Sequence, residues 1–537
     1  MKGVAPLSVF FDATGTTSIA TTRPFHHLHY FWDFSDPGSR RPNGTGAVAS
    51  HVFYNPGTYK VSLTVTDPTG EASFKEIQVQ VDDPDLVFAG TNTICFSNDN
   101  DFTGAPDGAR LVTTSSFNTA LGYVGHGKRL LFKRGDTFTS TGTSSVLDCS
   151  PCSIGAYGTG VNPDERGIFN NNPLVHSTSD RTIIDLANSS AQCQDLRISD
   201  LRFTTSTSQW SAVGCSGRTT EILFSRLYFR GFSVPLSFDH DTIEYYGMQP
   251  HDSDTVADCI LENSAVNNFY GGGTRIAFLG NHFKQNQSSH LCRITYVKKG
   301  VLAGNQFDFP GGTRHCLKLH AQQNRAKYGE FSEMVVISGN DFRARTAWPV
   351  AIGPQDGLND ERVRHIILER NRIFSYQGVQ VMVLIWSCQT TIRNNIFCDL
   401  GDSQWEMTNI LVTKRGIEPV PAEVEIYHNT SFCGNSNHNM AIFLQLGSYS
   451  GTIRVMNNLL YAPNTPNTIL VSGQKNFLAT GNLVGSNPLF KDPNNLDFSL
   501  QSGSPALGNG VQVPVRGDFF LRGRPTSSSP DSGAVEQ

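Results

Sequence analysis

Charge is the scarcest property of this 537-residue chain: Asp, Glu, Lys and Arg make up 17%, against about 25% in ordinary soluble domains. That scarcity excludes a disordered polyelectrolyte, a coiled coil and a long helical array. No run of 18 or more apolar residues occurs, so no membrane-spanning helix is expected. The first residues lack a signal-peptide core and cleavage site. The chain is nevertheless read as the trimmed form of a secreted product, because both ends look like extracellular modules. A net charge of −5 excludes a globally basic nucleic-acid binder, though not a local basic patch. No stretch sustains a 3.6-residue period, which disfavours helical repeats. The 11 cysteines are odd in number and mostly scattered singly. Cys149 and Cys152 form a CxxC, but the next cysteine is 41 residues on and no histidine pair completes a zinc site. A local disulfide or buried thiols are expected there. Cys292 and Cys316 are candidates for neighbouring turns of a repeat.

What the chain does have is 50 glycines, 35 phenylalanines and abundant Asn, Ser and Thr, the composition of short strands joined by many turns. Its length would suggest three or four domains unless one repeat architecture absorbs most of it. Residues 1–84 read as a small β-sandwich: Leu7 to Phe11, Tyr59 to Thr66 and Phe74 to Val81 alternate, with Asn55-Pro56-Gly57 and Asp67-Pro68-Thr69-Gly70 as turns. The stretch Tyr30-Phe31-Trp32-Asp33-Phe34-Ser35-Asp36-Pro37-Gly38 resembles the Trp-Asp-Phe-Gly-Asp-Gly motif of the PKD (polycystic kidney disease) domain family. Ala49 to Tyr59, followed by Val61, Leu63 and Val65, is similar to that family's second signature. Ser35 stands where the family usually has Gly. The resemblance implies an extracellular setting and a spacer or binding role, with no catalysis in this module. His26, His27 and His29 are expected in a solvated loop.

Beyond a polar linker, Asp82-Asp83-Pro84-Asp85, a motif recurs: β-formers, a Gly or polar residue, Asn, a variable residue, then an aromatic or aliphatic. Its asparagines are Asn281, Asn305, Asn340, Asn371, Asn395, Asn429, Asn458 and Asn482, with weaker versions at Asn263 and near Asp200 and Arg226. Successive spacings are 24, 35, 31, 24, 34, 29 and 24 residues. A floor of 24 with irregular additions fits a coil of three short strands carrying variable loops. Residues 85–537 are therefore expected to form a right-handed parallel β-helix, with each Asn stacked at the same bend. Buried amides there need partners, and the next coil supplies them. The run Arg129 to Phe138, with Ile154-Gly155-Ala156-Tyr157-Gly158, resembles the opening coils (from about residue 90) of the pectate-lyase-like β-helix superfamily. Residues 485–537, through Asn487 to Pro493 and Asp531 to Glu536, resemble the closing segment of secreted bacterial β-helix proteins. The fold class is all-β, a β-helix behind an immunoglobulin-like sandwich. Such a fold hosts lyases, hydrolases, epimerases, tailspikes and adhesins, so it does not name a reaction.

Aligning two coils on their histidines sets His290-Leu291-Cys292-Arg293-Ile294-Thr295 over His315-Cys316-Leu317-Lys318-Leu319-His320. Cys292, Leu317, Ile294 and Leu319 then point inward. Arg293 over Lys318, and Thr295 over His320, point outward on one face. From 290 to 327 the chain holds Arg293, Lys298, Lys299, Arg314, Lys318, Arg325 and Lys327, with Asp308 the lone acid. A solvated basic face is the plain reading. Like charges stacked one coil apart repel, however, and a positive stripe focuses an anionic ligand. An acidic polysaccharide is the expected partner, and β-elimination on its uronic acids the expected reaction.

Family likeness to β-helix lyases implies Lys318 as base, Arg293 as carboxylate clamp or electrophile, and His320 or His315 as proton relay. A depressed Lys318 pKa beside Arg293 is part of that expectation. Substrate contacts are assigned to His290, Arg314, Arg325, Lys327 and Trp348. A second cluster, Asp239, His240, Asp241, Glu244, His251, Asp252 and Asp254, is dense enough to hold calcium, with Asp239, Asp241, Glu244 and Asp252 as ligands. A solvated acidic loop is the alternative. The same cluster, or Gln355 to Glu361, could supply a glycoside hydrolase pair. Gly271-Gly272-Gly273 and Gly311-Gly312 are turn material, and Trp386 is expected in the core. A non-catalytic surface, fibre or glycan-binding protein is the remaining alternative, and nothing in the sequence bears on oligomeric state.

Overall fold

The computed structural model describes the chain outside residues 188–191, 208, 216, 239–250, 313, 322–331, 347, 354–362, 378, 402–405, 415–420, 435–437 and 472–475, and outside the side chains of 469–471. No helix among the described residues is long and apolar enough to cross a membrane. Residues 2–82 build a five-stranded sheet in the order Lys2–Val4, Ala72–Asp82, Gly57–Thr66, His29–Asp33, Asn43–Thr45, faced by the antiparallel pair Leu7–Asp12 and Val48–Phe53. Alternate residues of both sheets fill the sandwich: Phe11, Trp32, Phe34 and Phe53 are buried, and the Trp32 indole donates to the Gly46 carbonyl. Ser35 has φ of +51°, the left-handed region that explains why a glycine suits this turn.

From Thr93 to Val484 the chain winds as a right-handed parallel β-helix, closed at its start by the short helix Phe117–Leu121. Each coil contributes three strands. The coil Leu317–Leu319, Ser332–Ser338, Asp341–Ala344 lies under Val350–Ile352, Val363–Glu369, Arg372–Ser375, every pair parallel and in register. These three walls are referred to as the first, second and third faces. Long apolar side chains stack up the interior: the rings of Phe283, Phe307 and Phe342 lie 4.9 and 4.8 Å apart, nearly parallel.

The expected asparagine ladder is present at the bend between the second and third faces. Seven consecutive Nδ2–Oδ1 bonds of 2.9–3.0 Å join Asn281, Asn305, Asn340, Asn371, Asn395, Asn429, Asn458 and Asn482. Each Oδ1 after the first also accepts the backbone N–H of the preceding Asn, as Asn371 does from Asn340 at 2.9 Å. The residue before every rung sits at positive φ: Gly280, Gly304, Gly339, Arg370, Asn394, His428, Asn457 and Gly481. That geometry is why Gly or Asn stands ahead of the rung at six of the eight positions, with Arg370 and His428 at the other two. One correction concerns the start of the ladder. Asn263 is not a rung; Asp258 takes the left-handed position and the Cys259 N–H donates to Asn281.

All eleven cysteines are free thiols, ten of them buried. Cys149 Sγ lies 3.2 Å from Cys193 on the next coil, so the CxxC belongs to a group of packed thiols. Cys292 is paired with Leu317 and not with Cys316.

The first module packs along the second face of the rod. Its Ala47, Val48 and Phe53 share one apolar cluster with Leu223, Ala277, Val301, Val336 and Ile367, which lie in one row up that wall with Thr255 between the first two. Arg41 grips Asp258 with two bonds of 2.8 Å, joined by the Tyr54 hydroxyl at 2.8 Å. Arg23 and His27 meet the buried Glu425 at 2.7 and 3.1 Å. The histidines expected in a solvated loop are thus at a seam: His26 is buried, bonded to Thr391 at 2.9 Å and to His365 at 3.3 Å. The closing segment folds back along the third face, where Phe490, Phe498 and Leu500 cover Phe374, Ile396 and Phe432.

Candidate functional site

The first face carries the basic residues. Arg293 pairs directly with Lys318, and inward Cys292, Ile294, Leu317 and Leu319 flank them, as the histidine alignment requires. Tyr270 precedes Arg293 on the same outward row and Ala351 follows Lys318. Beside this row a cleft of about 380 Å³ is lined by Val266, Ser288, Ser289, His290, Arg293, Arg314, His315 and Lys318. Two further cavities, about 260 and 280 Å³, lie in the seam with the first module, where its packing leaves gaps.

Lys318 is 4% exposed, although it stands on the outer side of its strand. Its ammonium donates to the Gly353 carbonyl at 3.0 Å and lies 4.5 Å from the centre of the buried Trp386 ring. A carbonyl and an aromatic face both suit the charged form of the amine. Arg293 lies over the Tyr270 ring at 5.3 Å and donates from Nε to His320 Nε2 at 3.3 Å. His320 in turn donates from Nδ1 to the Ala321 carbonyl at 2.9 Å. Both ring nitrogens of His320 are therefore engaged, Nε2 by Arg293 and Nδ1 by the Ala321 carbonyl.

His290 and His315 stack with centroids 5.0 Å apart and planes 16° from parallel. The His315 backbone N–H donates to His290 Nδ1 at 3.1 Å, which leaves the His290 proton on Nε2. Burial, reinforced by His315, Arg293, Lys318 and Arg314, pushes the His290 pKa far below the usual imidazole range. His290 is therefore a neutral donor. His315 donates from Nδ1 to the Trp348 carbonyl at 3.1 Å, so its Nε2 carries the lone pair. Trp348 is half-buried against the core, 5.7 Å from the His315 ring, and does not line the cleft. Arg314 is exposed at the rim.

Other expectations change. Thr295 lies beyond the stretch paired with the next coil, which ends at Ile294 and Leu319; toward the preceding coil Gly271 pairs with Ile294 and Gly272 with Tyr296, so Thr295 is a bulge residue there, and it is buried. Lys298 and Lys299 leave the patch for the second face, where they bind Glu333 and the first module's Asp12. Asp308 is on the third face with His282 and Arg343. The concentrated sequence patch is thus distributed around the rod, and Arg293, Lys318 and Arg314 remain at the cleft. Arg325, Lys327, Asp239, Asp241, Glu244 and the 355–361 loop lie outside the described residues. Of the proposed calcium ligands Asp252 is described, and both its oxygens engage Arg275. That arrangement supplies its countercharge from the protein.

Sequence reasoning missed Gly353, Tyr270 and the cation-binding face of Trp386. Asp254, grouped in the sequence with the acidic cluster, is instead fully buried and bonded by Thr219 and the Ile222 N–H, with its pKa pushed up to about 7 by burial. The strand formers that follow it, in Asp254-Thr255-Val256, were the signal for that burial.

Residues 7–81 match the family model for the PKD domain. No curated protein matches the chain in sequence. Among solved structures, the chain is similar to the Azotobacter vinelandii mannuronan C-5 epimerase AlgE6 A-module, at 10% identity over 69% of this chain and 93% of that one, with a TM-score of 0.38. A mannuronic acid specific polysaccharide family 6 lyase from human gut microbiota matches at 10% identity, over 69% of this chain and 85% of that one, TM-score 0.42. Pectate lyase Pel9A matches at 12% identity, over 84% and 98%, TM-score 0.36.

Proposed function

We propose that the cleft on the first face binds an acidic polysaccharide and breaks it by β-elimination, outside the cell. The observation that carries this reading is the pairing of Arg293 with Lys318 at the wall of the cleft, beside the stacked His290 and His315. A uronic acid carboxylate bridging two cations one coil apart loses charge density, which acidifies its C5 proton.

His315 is the better base, because its Nδ1–H is held by the Trp348 carbonyl and its Nε2 bears the lone pair. Lys318 is the better fixed cation, given the carbonyl and ring that surround its ammonium. His315 takes the C5 proton, the C4–C5 double bond forms, and the C4–O bond breaks. In a syn elimination the imidazolium then protonates the leaving oxygen. His320 positions Arg293, and neutral His290 donates from Nε2 to the sugar. No step in this scheme calls for calcium.

Incubation with alginate, pectate and glycosaminoglycans, read by the ultraviolet absorbance of the new conjugated double bond, tests this. Absorbance that grows with the wild type and disappears in Arg293→Ala and His315→Asn is the expected result. New reducing ends without absorbance would replace the reading with hydrolysis.

A further inference from the structure

We propose that Asp399, Cys433 and His438 form a zinc site that fastens the bend between the third and first faces. Asp399 ends the strand Ile396–Asp399 and Cys433 ends Thr430–Cys433 on the next coil, directly paired. His438 contacts Asp399 Oδ2 through Nε2, and Cys433 Sγ lies 3.7 Å from the same oxygen. The three ligand atoms all fall within 4.8 Å of one another, and the residues are 1%, 0% and 5% exposed. Ligands of a tetrahedral zinc stand about 3.3–3.7 Å apart, from bond lengths near 2.3 Å to sulfur and 2.0 Å to nitrogen. A small outward movement of the imidazole admits the ion.

The donor set chooses the metal. Calcium and magnesium take oxygen and reject sulfur, whereas one thiolate, one imidazole and one carboxylate suit zinc. A second observation marks this corner as unusually polar for the inside of a rod. Ser375, paired with Asp399 one coil below, is buried with no hydrogen-bond partner for its Oγ among the described residues. Binding releases the Cys433 thiol proton to solvent. The ion would tie His438 to two successive coils.

The full chain, produced with added zinc and purified without chelator, should retain stoichiometric zinc and lose melting temperature when it is stripped. Replacement by cobalt should give a thiolate-to-cobalt charge-transfer band that vanishes in Cys433→Ser and persists in Cys149→Ser. X-ray absorption on the wild type needs no variant: a shell with one sulfur and otherwise nitrogen or oxygen is expected. A folded wild type that retains neither metal overturns the proposal. So does a shell rich in sulfur, which would put the ion at Cys149, Cys152 and Cys193.

Discussion

At the scale of single residues, the site depends on charge held where water is scarce. Arg293→Ala and Lys318→Ala each remove a fixed cation, and a loss of about 10²–10³-fold in kcat is expected if both stabilise the developing charge. His320→Ala should act through Arg293, raising KM as well as lowering kcat. Guanidinium added to the solution should restore part of the Arg293→Ala activity and none of the His315→Asn activity. Asp254 gives a pH signature of its own. It keeps its proton in the folded chain up to about pH 7, but in the unfolded chain only to about 3.8. The folded state therefore binds more protons across that window, and stability falls as pH rises through it. The urea midpoint of Asp254→Asn should be flatter over this range; an identical slope would contradict the assignment. The partnership of Arg293 and Lys318 was legible in the sequence, because two histidines 25 residues apart fixed the register. The commitment of His320 was not, since it depends on where the Arg293 side chain reaches and on the Ala321 carbonyl.

At the scale of elements, the asparagine ladder organises the rod. Replacing Asn371 with Ala strands the Asn340 backbone N–H, takes one acceptor from the Asn340 amide, and removes the donor to Asn395 and to the Ile337 carbonyl. The expected cost is about 3 kcal/mol, the sum of several buried polar groups left unpaired. Asn482→Ala, at the end of the ladder and half-buried, should cost clearly less. Equal urea midpoints for the two variants would show that stacking adds nothing. This element was readable because one bend imposes two adjacent requirements, a left-handed residue and then an amide. The coils before Asn281 were harder to read, since Cys259 occupies the same position with its backbone alone.

At the scale of the whole molecule, the PKD domain is part of one body with the rod. Arg41→Ala would leave Asp258, 3% exposed, with a weaker countercharge from Arg40 at 3.6 Å. A loss of about 3 kcal/mol is expected for breaking such a pair. Acid should loosen the same seam. Burial, aided by Arg393, holds the His29 pKa down to about 4, and burial with Arg23 lowers that of His26. Unfolded histidine titrates near 6.5, so the unfolded chain takes up protons first and stability is lost as pH falls from there toward 4. His29→Asn should lessen that loss in urea melts. The docking was present in the sequence only as a hint: Val335-Val336-Ile337 is apolar on both sides of its strand, as in a sheet covered on both faces.

The central claim, that paired cations on the first face promote elimination, is tested most directly by the oxygen in the products. Oligouronates released in water enriched in heavy oxygen should carry no label and be lighter by one water than hydrolysis products. Labelled, saturated ends would contradict the claim.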